Sequence, residues 1–249
     1  MLRGYSLFLA CWTFLLVIAG GTVVSTGSGS LLLDHQAMAG VAGTLTLILA
    51  VLFWRAPIEP VFKRAGWIGV GLVLAQGVLG LCTALLRLPT AIAIAHACLG
   101  QIFFAWIASI VWIAYTPGYE ASSELTPPAQ KMYRIAATTT GFILLQLLAG
   151  AVYRHTGRFL HFHFLGAFLV VLHGLLLLRR AWASPGLPAI LRRLASVLNV
   201  LIAGQLVLGF LSWRMPFPEI TTAHQSVGAL ILAAAVIITL QSTRRGIAG

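Results

Sequence analysis

Charge is what this sequence has least of: of its 249 residues only 8% are Asp, Glu, Lys or Arg, and just five are acidic. A soluble domain carries about 25% charged residues, so a water-exposed globule of this size is excluded. Cysteine is scarce too. Cys11, Cys82 and Cys98 each fall inside an apolar run, with no CxxC or other ligand spacing. That gives no disulfide framework and reads as three core residues. Disorder is excluded by the opposite property, since 59% of the chain is hydrophobic and such matter does not stay solvated.

What is present is apolar sequence in long runs. Mean hydropathy is +0.97, and eight stretches stand out at about 7–24, 35–53, 67–86, 91–114, 136–153, 160–178, 194–212 and 221–241. Each suffices to cross a bilayer, and little length remains for a soluble domain. The runs are continuously apolar and not alternating, which argues helices over spanning strands. The expected fold class is therefore an all-α integral membrane protein with eight transmembrane helices. The first stretch has the flanks of a signal peptide, but it completes an even helix count and has a partner in the second half, so retention is expected.

The net charge of +11 invites a nucleic-acid reading that fails once the charges are placed, because they sit in short loops between apolar runs. Of 16 Lys and Arg residues, Arg87, Arg154, Arg158 and Arg214 fall on one side, and the other twelve, from Arg3 to Arg245, on the other. The richer side is expected to be cytoplasmic, with both termini inside the cell membrane. The longest polar connection, with Pro117, Gly118, Pro127 and Pro128, divides the chain into an N-terminal half (1–115), a cytoplasmic linker (116–135) and a C-terminal half (136–249).

The two halves repeat each other. Gln76-Gly77-Val78-Leu79-Gly80 matches Gln205-Leu206-Val207-Leu208-Gly209, and Ala95-His96 with Gly100 matches Ala223-His224 with Gly228. Ala19-Gly20 and Thr26-Gly27 match Ala149-Gly150 and Thr156-Gly157, and His35 and His163 stand at a similar spacing. Two pseudo-symmetric four-helix bundles are expected. Since each repeat has an even number of helices, the repeats run parallel about an axis along the membrane normal.

The matched histidines carry the chemistry. An ionisable group in a membrane helix is costly and faces the bundle interior. His35, His96, His163 and His224 all lie near the starts of even-numbered helices, hence at one depth near the outer face. Two facing histidines per bundle can supply both axial nitrogens to one heme iron. Zinc prefers a closed tetrahedral set with Cys or carboxylate, and a purely structural role would be hydrogen bonding between helices; two histidines per repeat at one depth favour heme over both. His161 competes with His163 as the ligand, His155 is expected to be solvated in an outer loop, and His173 is expected to be a packed core residue. Arg154, and more weakly Arg158, Arg87 and Arg214, suit the carboxylates of a porphyrin edge. Asp34 beside His35 and Glu219 before His224 are the acids near this face, and Asp34 is the better candidate for proton transfer.

Several of these segments resemble the heme A synthase family. The stretch from Ala19 through Gly21-Thr22 to Gly29 is similar to that family's first-helix signature. Gln76 to Gly80, through Leu88-Pro89 to His96, resembles its third and fourth helices. Gly150-Ala151-Val152-Tyr153-Arg154-His155-Thr156-Gly157 with His163-Phe164-Leu165-Gly166-Ala167 resembles its fifth and sixth. The likeness implies an eight-helix enzyme that oxidises a porphyrin methyl group of heme O to the formyl group of heme A. It implies a resident heme b on His163 and His224, with Arg154 at its acidic edge, and substrate heme O facing His35 and His96. A methyl group resists side-chain acids and bases, so a redox cofactor must carry that step. Implied partners are membrane lipid, a heme O-producing enzyme and terminal-oxidase assembly, with no nucleic acid. The family's first-loop cysteine pair is absent here, and Leu31-Leu32-Leu33-Asp34 stands where it has a glutamate. A non-catalytic heme-binding or heme-delivery protein and a b-type electron-transfer cytochrome are the alternatives.

Overall fold

The computed structural model describes residues 1–85, 90–116, 120 and 124–244. Arg87, Leu88-Pro89, Pro117, Gly118 and Arg245, all used above, lie outside these. The described residues form α1 (Leu2–Thr26), α2 (Gly29–Arg55), α3 (Pro60–Leu85), α4 (Thr90–Tyr115), α5 (Pro127–Thr156), α6 (Leu160–Trp182), α7 (Ala189–Arg214) and α8 (Pro218–Gln241). At about 1.5 Å per residue even the shortest exceeds a hydrocarbon core of about 30 Å, and all eight are long and apolar enough to span a membrane.

Most helices outrun their apolar stretches, because hydropathy stops at the first charge while a helix does not. α5 starts nine residues early, at Pro127, and its first turns carry Lys131 and Arg134. Pro at a helix start supplies a fixed φ where no N–H is needed, so the end of the 116–135 segment is helix. Likewise α2 begins at Gly29, which leaves His35 nearly two turns inside it.

α1 packs against α2 and α4, and α3 joins α2 to α4, closing one four-helix ring; α5 to α8 close a second in the same way. The rings meet where α8 touches α1 and α4, and where α4 touches α5. Exchanging α1 with α5 and α4 with α8 maps this junction onto itself, the two-fold relation expected from the repeats. Trp112 on α4 donates to Gln241 Oε1 on α8 at 3.1 Å, and these two occupy nearly equivalent positions of the halves. The central helix α8 is accordingly the most enclosed, with Ala229, Leu232, Ala235 and Ile238 buried.

The outward faces are as apolar as the core: Phe8, Leu15, Leu74, Val78, Val200 and Phe210 are exposed. In hydrocarbon this carries no penalty, provided that polar groups are satisfied internally. Thr13, Thr46 and Ser109 do so by donating to the carbonyl four residues back, at 2.8, 2.7 and 2.7 Å.

One corner is built twice. α1 ends at Gly27 (φ 66) and α5 at Gly157 (φ 67), each left-handed and each returning its N–H to the helix, at Val23 and Tyr153. Thr26 and Thr156 accept from the next residue but one, the N–H of Ser28 at 3.3 Å and of Arg158 at 3.1 Å. Only glycine takes that φ without strain, which is why Thr-Gly recurs in both halves.

Candidate functional site

At the end of the bundle where α1 turns into α2 and α5 into α6, the four histidines gather in two pairs. His35 on α2 faces His96 on α4 with ring centroids 6.5 Å apart and planes at 87°. His163 on α6 faces His224 on α8 at 6.2 Å and 78°. Each pair sits inside its own four-helix ring.

A glycine on the preceding helix seats each ring. A Cβ built on Gly20, Gly80, Gly150 or Gly209 would come 2.9 Å from Cε1 of His35, His96, His163 or His224 respectively. Real carbon atoms essentially never approach so closely. The same notch therefore occurs four times, and only a residue without a side chain lets the imidazole lie against the neighbouring backbone.

The spacing can be tested against what a metal needs. A metal–imidazole bond is about 2 Å, and an imidazole nitrogen lies about 1.1 Å from its ring centroid, so two trans axial imidazoles stand about 6.3 Å apart. Both pairs match this separation, and a porphyrin fits the pairs on that measure. Among the described residues no three His, Cys, Asp or Glu side chains cluster as metal ligands. The donor set is thus two imidazoles per site, which suits an iron whose other four positions a macrocycle fills.

Nitrogen roles are partly fixed. His96 Nδ1 faces the backbone carbonyl of Gln76 at 3.2 Å; donating there leaves Nε2 unprotonated, with the Gln76 amide nitrogen 3.5 Å from it. The Gln146 amide nitrogen lies 3.1 Å from His163 Nδ1 and 3.4 Å from its Nε2; an amide flip exchanges nitrogen and oxygen, and only with the oxygen on that side does Gln146 accept the Nδ1 proton. His35 Nδ1 and His224 Nδ1 are buried without a hydrogen-bond partner.

The competing histidines separate clearly. His161 is exposed, its ring 4.4 Å from that of Phe162 with the planes tilted by 41°, so His163 is the one facing a partner. His173 packs 4.5 Å from the Phe142 ring, away from both pairs. His155 differs from expectation: it belongs to the last turn of α5, is half-buried, and lies within electrostatic reach of Arg154 and His96. The apolar run ends at 153, but the helix continues to Thr156 and carries His155 into the junction of the halves.

Arg154 is likewise displaced from the mouth of the second bundle. Its Nη2 donates across the junction to the Gly21 carbonyl at 3.0 Å and to Ser25 Oγ at 2.7 Å on α1. Ser25 Oγ is in turn 3.2 Å from Thr222 Oγ1 on α8. Gly21 follows the glycine beneath His35, and Arg154 also acts electrostatically on His224, so this one guanidinium stands between the two pairs. Its counterpart in the first half is Val24.

Asp34 and Glu219 are both exposed. Asp34 adjoins His35 in sequence, about 100° round the helix, and Glu219 lies in the first turn of α8. Arg158 is exposed, and Arg214 lies over the Trp213 ring at 5.8 Å. Beyond the site, Cys98, Phe142, Leu145 and neighbouring residues of α4 and α5 line an apolar groove of about 680 Å³.

The seating role of Gly20, Gly80, Gly150 and Gly209 and the contacts of Gln76, Gln146 and Gln205 are additions to the sequence reading, in which the glycines stood only as repeated words. Gln-x-x-x-Gly begins at Gln76, Gln146 and Gln205 but also at Gln36, so the word alone does not single out the three, and only Gln76 and Gln205 align at the repeat spacing. No protein-family model matches this chain, and no curated protein sequence matches it.

Proposed function

We propose that this chain is a heme-binding membrane oxidoreductase of the heme A synthase kind, with heme b between His163 and His224 and heme O as the substrate facing His35 and His96. The observation that carries this reading is the pair of imidazole pairs, 6.2 and 6.5 Å between centroids, each ring seated on a glycine. At that spacing each pair would be able to hold one porphyrin iron between its two imidazoles.

When bound, the porphyrin iron would supply the redox chemistry for converting a methyl group to a formyl group, a four-electron oxidation whose oxygen atom and electron acceptor must come from outside the chain. The chain's own part is narrower. His163 and His224 hold and orient the resident group, His35 and His96 present nitrogens to the exchanging one, and the ring of helices keeps water from the face between them. Arg154, held at the junction by Gly21 and Ser25, is the cation available to the acidic porphyrin edge, and the low dielectric there strengthens such a pairing. Asp34, exposed beside His35, is the acid placed to take up or release a proton at the rim.

The chain is placed in the cell membrane with both termini cytoplasmic, supported by the lopsided distribution of its Lys and Arg residues. Its partners are then membrane lipid, a heme O-producing enzyme and the assembling terminal oxidase. A second reading, a heme-binding or delivery protein without catalysis, is favoured by one fact: the Asp34 carboxylate is exposed. A b-type cytochrome carrying electrons across the membrane is disfavoured, because both histidine pairs lie at the same end of the bundle.

Extraction of the pigment from purified protein tests the reading. Heme A, or heme O with a hydroxylated methyl group, is expected beside heme b. In cells that make heme O but no heme A, well-expressed protein that yields no heme A refutes the enzymatic reading, and absence of any heme refutes the whole proposal.

A further inference from the structure

Three of the four histidines are braced from the neighbouring helix by a glutamine, and one is not. Gln76, Gln146 and Gln205 each stand four residues before the seating glycine, so they share its helix face one turn away. Gln76 Nε2 donates to the His96 carbonyl at 3.0 Å and Gln205 Nε2 to the His224 carbonyl at 2.9 Å. The Gln146 amide instead meets the His163 ring. A carbonyl can only accept, so the amide orientation of Gln76 and Gln205 is settled.

The histidine helix is shaped to receive this brace. The glutamines lie against Gly100, Gly166 and Gly228, where a Cβ would meet Gln76 Nε2 at 3.0 Å, overlap Gln146, and meet Gln205 Nε2 at 3.4 Å. Each contact is thus reciprocal: the ring rests on a glycine of one helix, and the amide on a glycine of the other. At the first of these pairs the Gln76 carbonyl also meets His96 Nδ1 at 3.2 Å, whereas His224 Nδ1 is buried without a partner.

The first pair of helices lacks both parts of the brace. Leu16 stands four residues before Gly20, and Ala39 four residues after His35. The buried Nδ1 of His35 has no hydrogen-bond partner.

A helix held by such a strut keeps its imidazole at a fixed rotation, and at His96 and His163, whose Nδ1 also meets a neighbour, the second nitrogen is supported too; losing such support typically weakens metal affinity 10–100-fold. We infer that Gln76, Gln146 and Gln205 are positioning residues that hold His96, His163 and His224 as firm iron ligands, while His35, unbraced, is the ligand that lets go and through which an outside ligand enters. This rests on the heme reading of the site, and it locates the opening step at one bond in the first half.

Two measurements on the full-length protein test it. In heme-loaded, reduced protein, carbon monoxide should bind one heme by displacing His35. Gln205→Leu should make the second-half heme reactive as well, its carbon monoxide affinity rising about tenfold. The double change Leu16→Gln with Ala39→Gly should suppress binding in the first half by a similar factor. In heme-free protein, carbethoxylation of each histidine by diethyl pyrocarbonate is followed by mass spectrometry. Gln76→Leu should speed modification of His96 severalfold without changing His163, and the Leu16→Gln, Ala39→Gly protein should slow that of His35. Gln76→Met repeats the test with a side chain of similar length should the leucine variant fold poorly. Unchanged carbon monoxide binding together with unchanged carbethoxylation overturns the inference. A wild-type protein that takes up no heme overturns the heme reading alone, and the carbethoxylation rates then decide the role of the glutamines.

Discussion

Replacing a seating glycine by alanine is the sharpest perturbation of this site. At Gly150 the added Cβ would lie 2.9 Å from His163 Cε1, against about 3.4 Å for ordinary contact, so the ring must move by about 0.5 Å. Metal–ligand distances tolerate about 0.2 Å. Overpacking of this kind costs about 1–3 kcal/mol, which corresponds to heme affinity weakened by roughly 5- to 150-fold. Alanine in a helix interior also gains about 1 kcal/mol over glycine, which offsets much of that cost in global stability. Gly150→Ala and Gly209→Ala are therefore expected to lose bound heme while their thermal unfolding in detergent barely changes. Gly141→Ala and Gly204→Ala are the controls, since nothing lies within 4 Å of a Cβ at either position. Heme-to-protein ratio by the pyridine hemochromogen method and helix content by circular dichroism read the two quantities separately. Full heme occupancy with an unaltered spectrum in Gly150→Ala and Gly209→Ala would refute the seating argument.

His163→Ala should abolish the second-half heme spectrum and His161→Ala leave it intact, as the facing pair at 6.2 Å requires; equal effects would contradict the assignment. Arg154→Ala removes two charge-assisted hydrogen bonds between the halves, each worth about 1.5–3 kcal/mol. It should lower the unfolding midpoint in detergent by several degrees, with Arg154→Lys intermediate. Gly157→Ala, at φ 67, should cost about 1–2 kcal/mol through backbone strain alone, read as a lower unfolding midpoint with heme affinity unchanged.

Eight spans, two repeats and the shared depth of the histidines were legible in the sequence, because each follows from counting along the chain. Apolar runs fix which segments enter the membrane, and a histidine's distance from the end of its run fixes how deep it lies. Helix ends were less legible: α5 carries Lys131 and Arg134 in its first turns, and backbone hydrogen bonding continues where hydropathy stops.

The rotation of each helix about its own axis is what the tertiary structure alone decided. In a soluble helix an apolar stripe points to the core and sets that angle, but here lipid-facing Val78 and buried Leu232 are chemically alike. Choosing His163 over His161, sending Arg154 across to Ser25 and setting glutamine against glycine all depend on that angle. It is fixed by close packing between helices, through notches that small residues leave, and therefore by partners far apart in the chain.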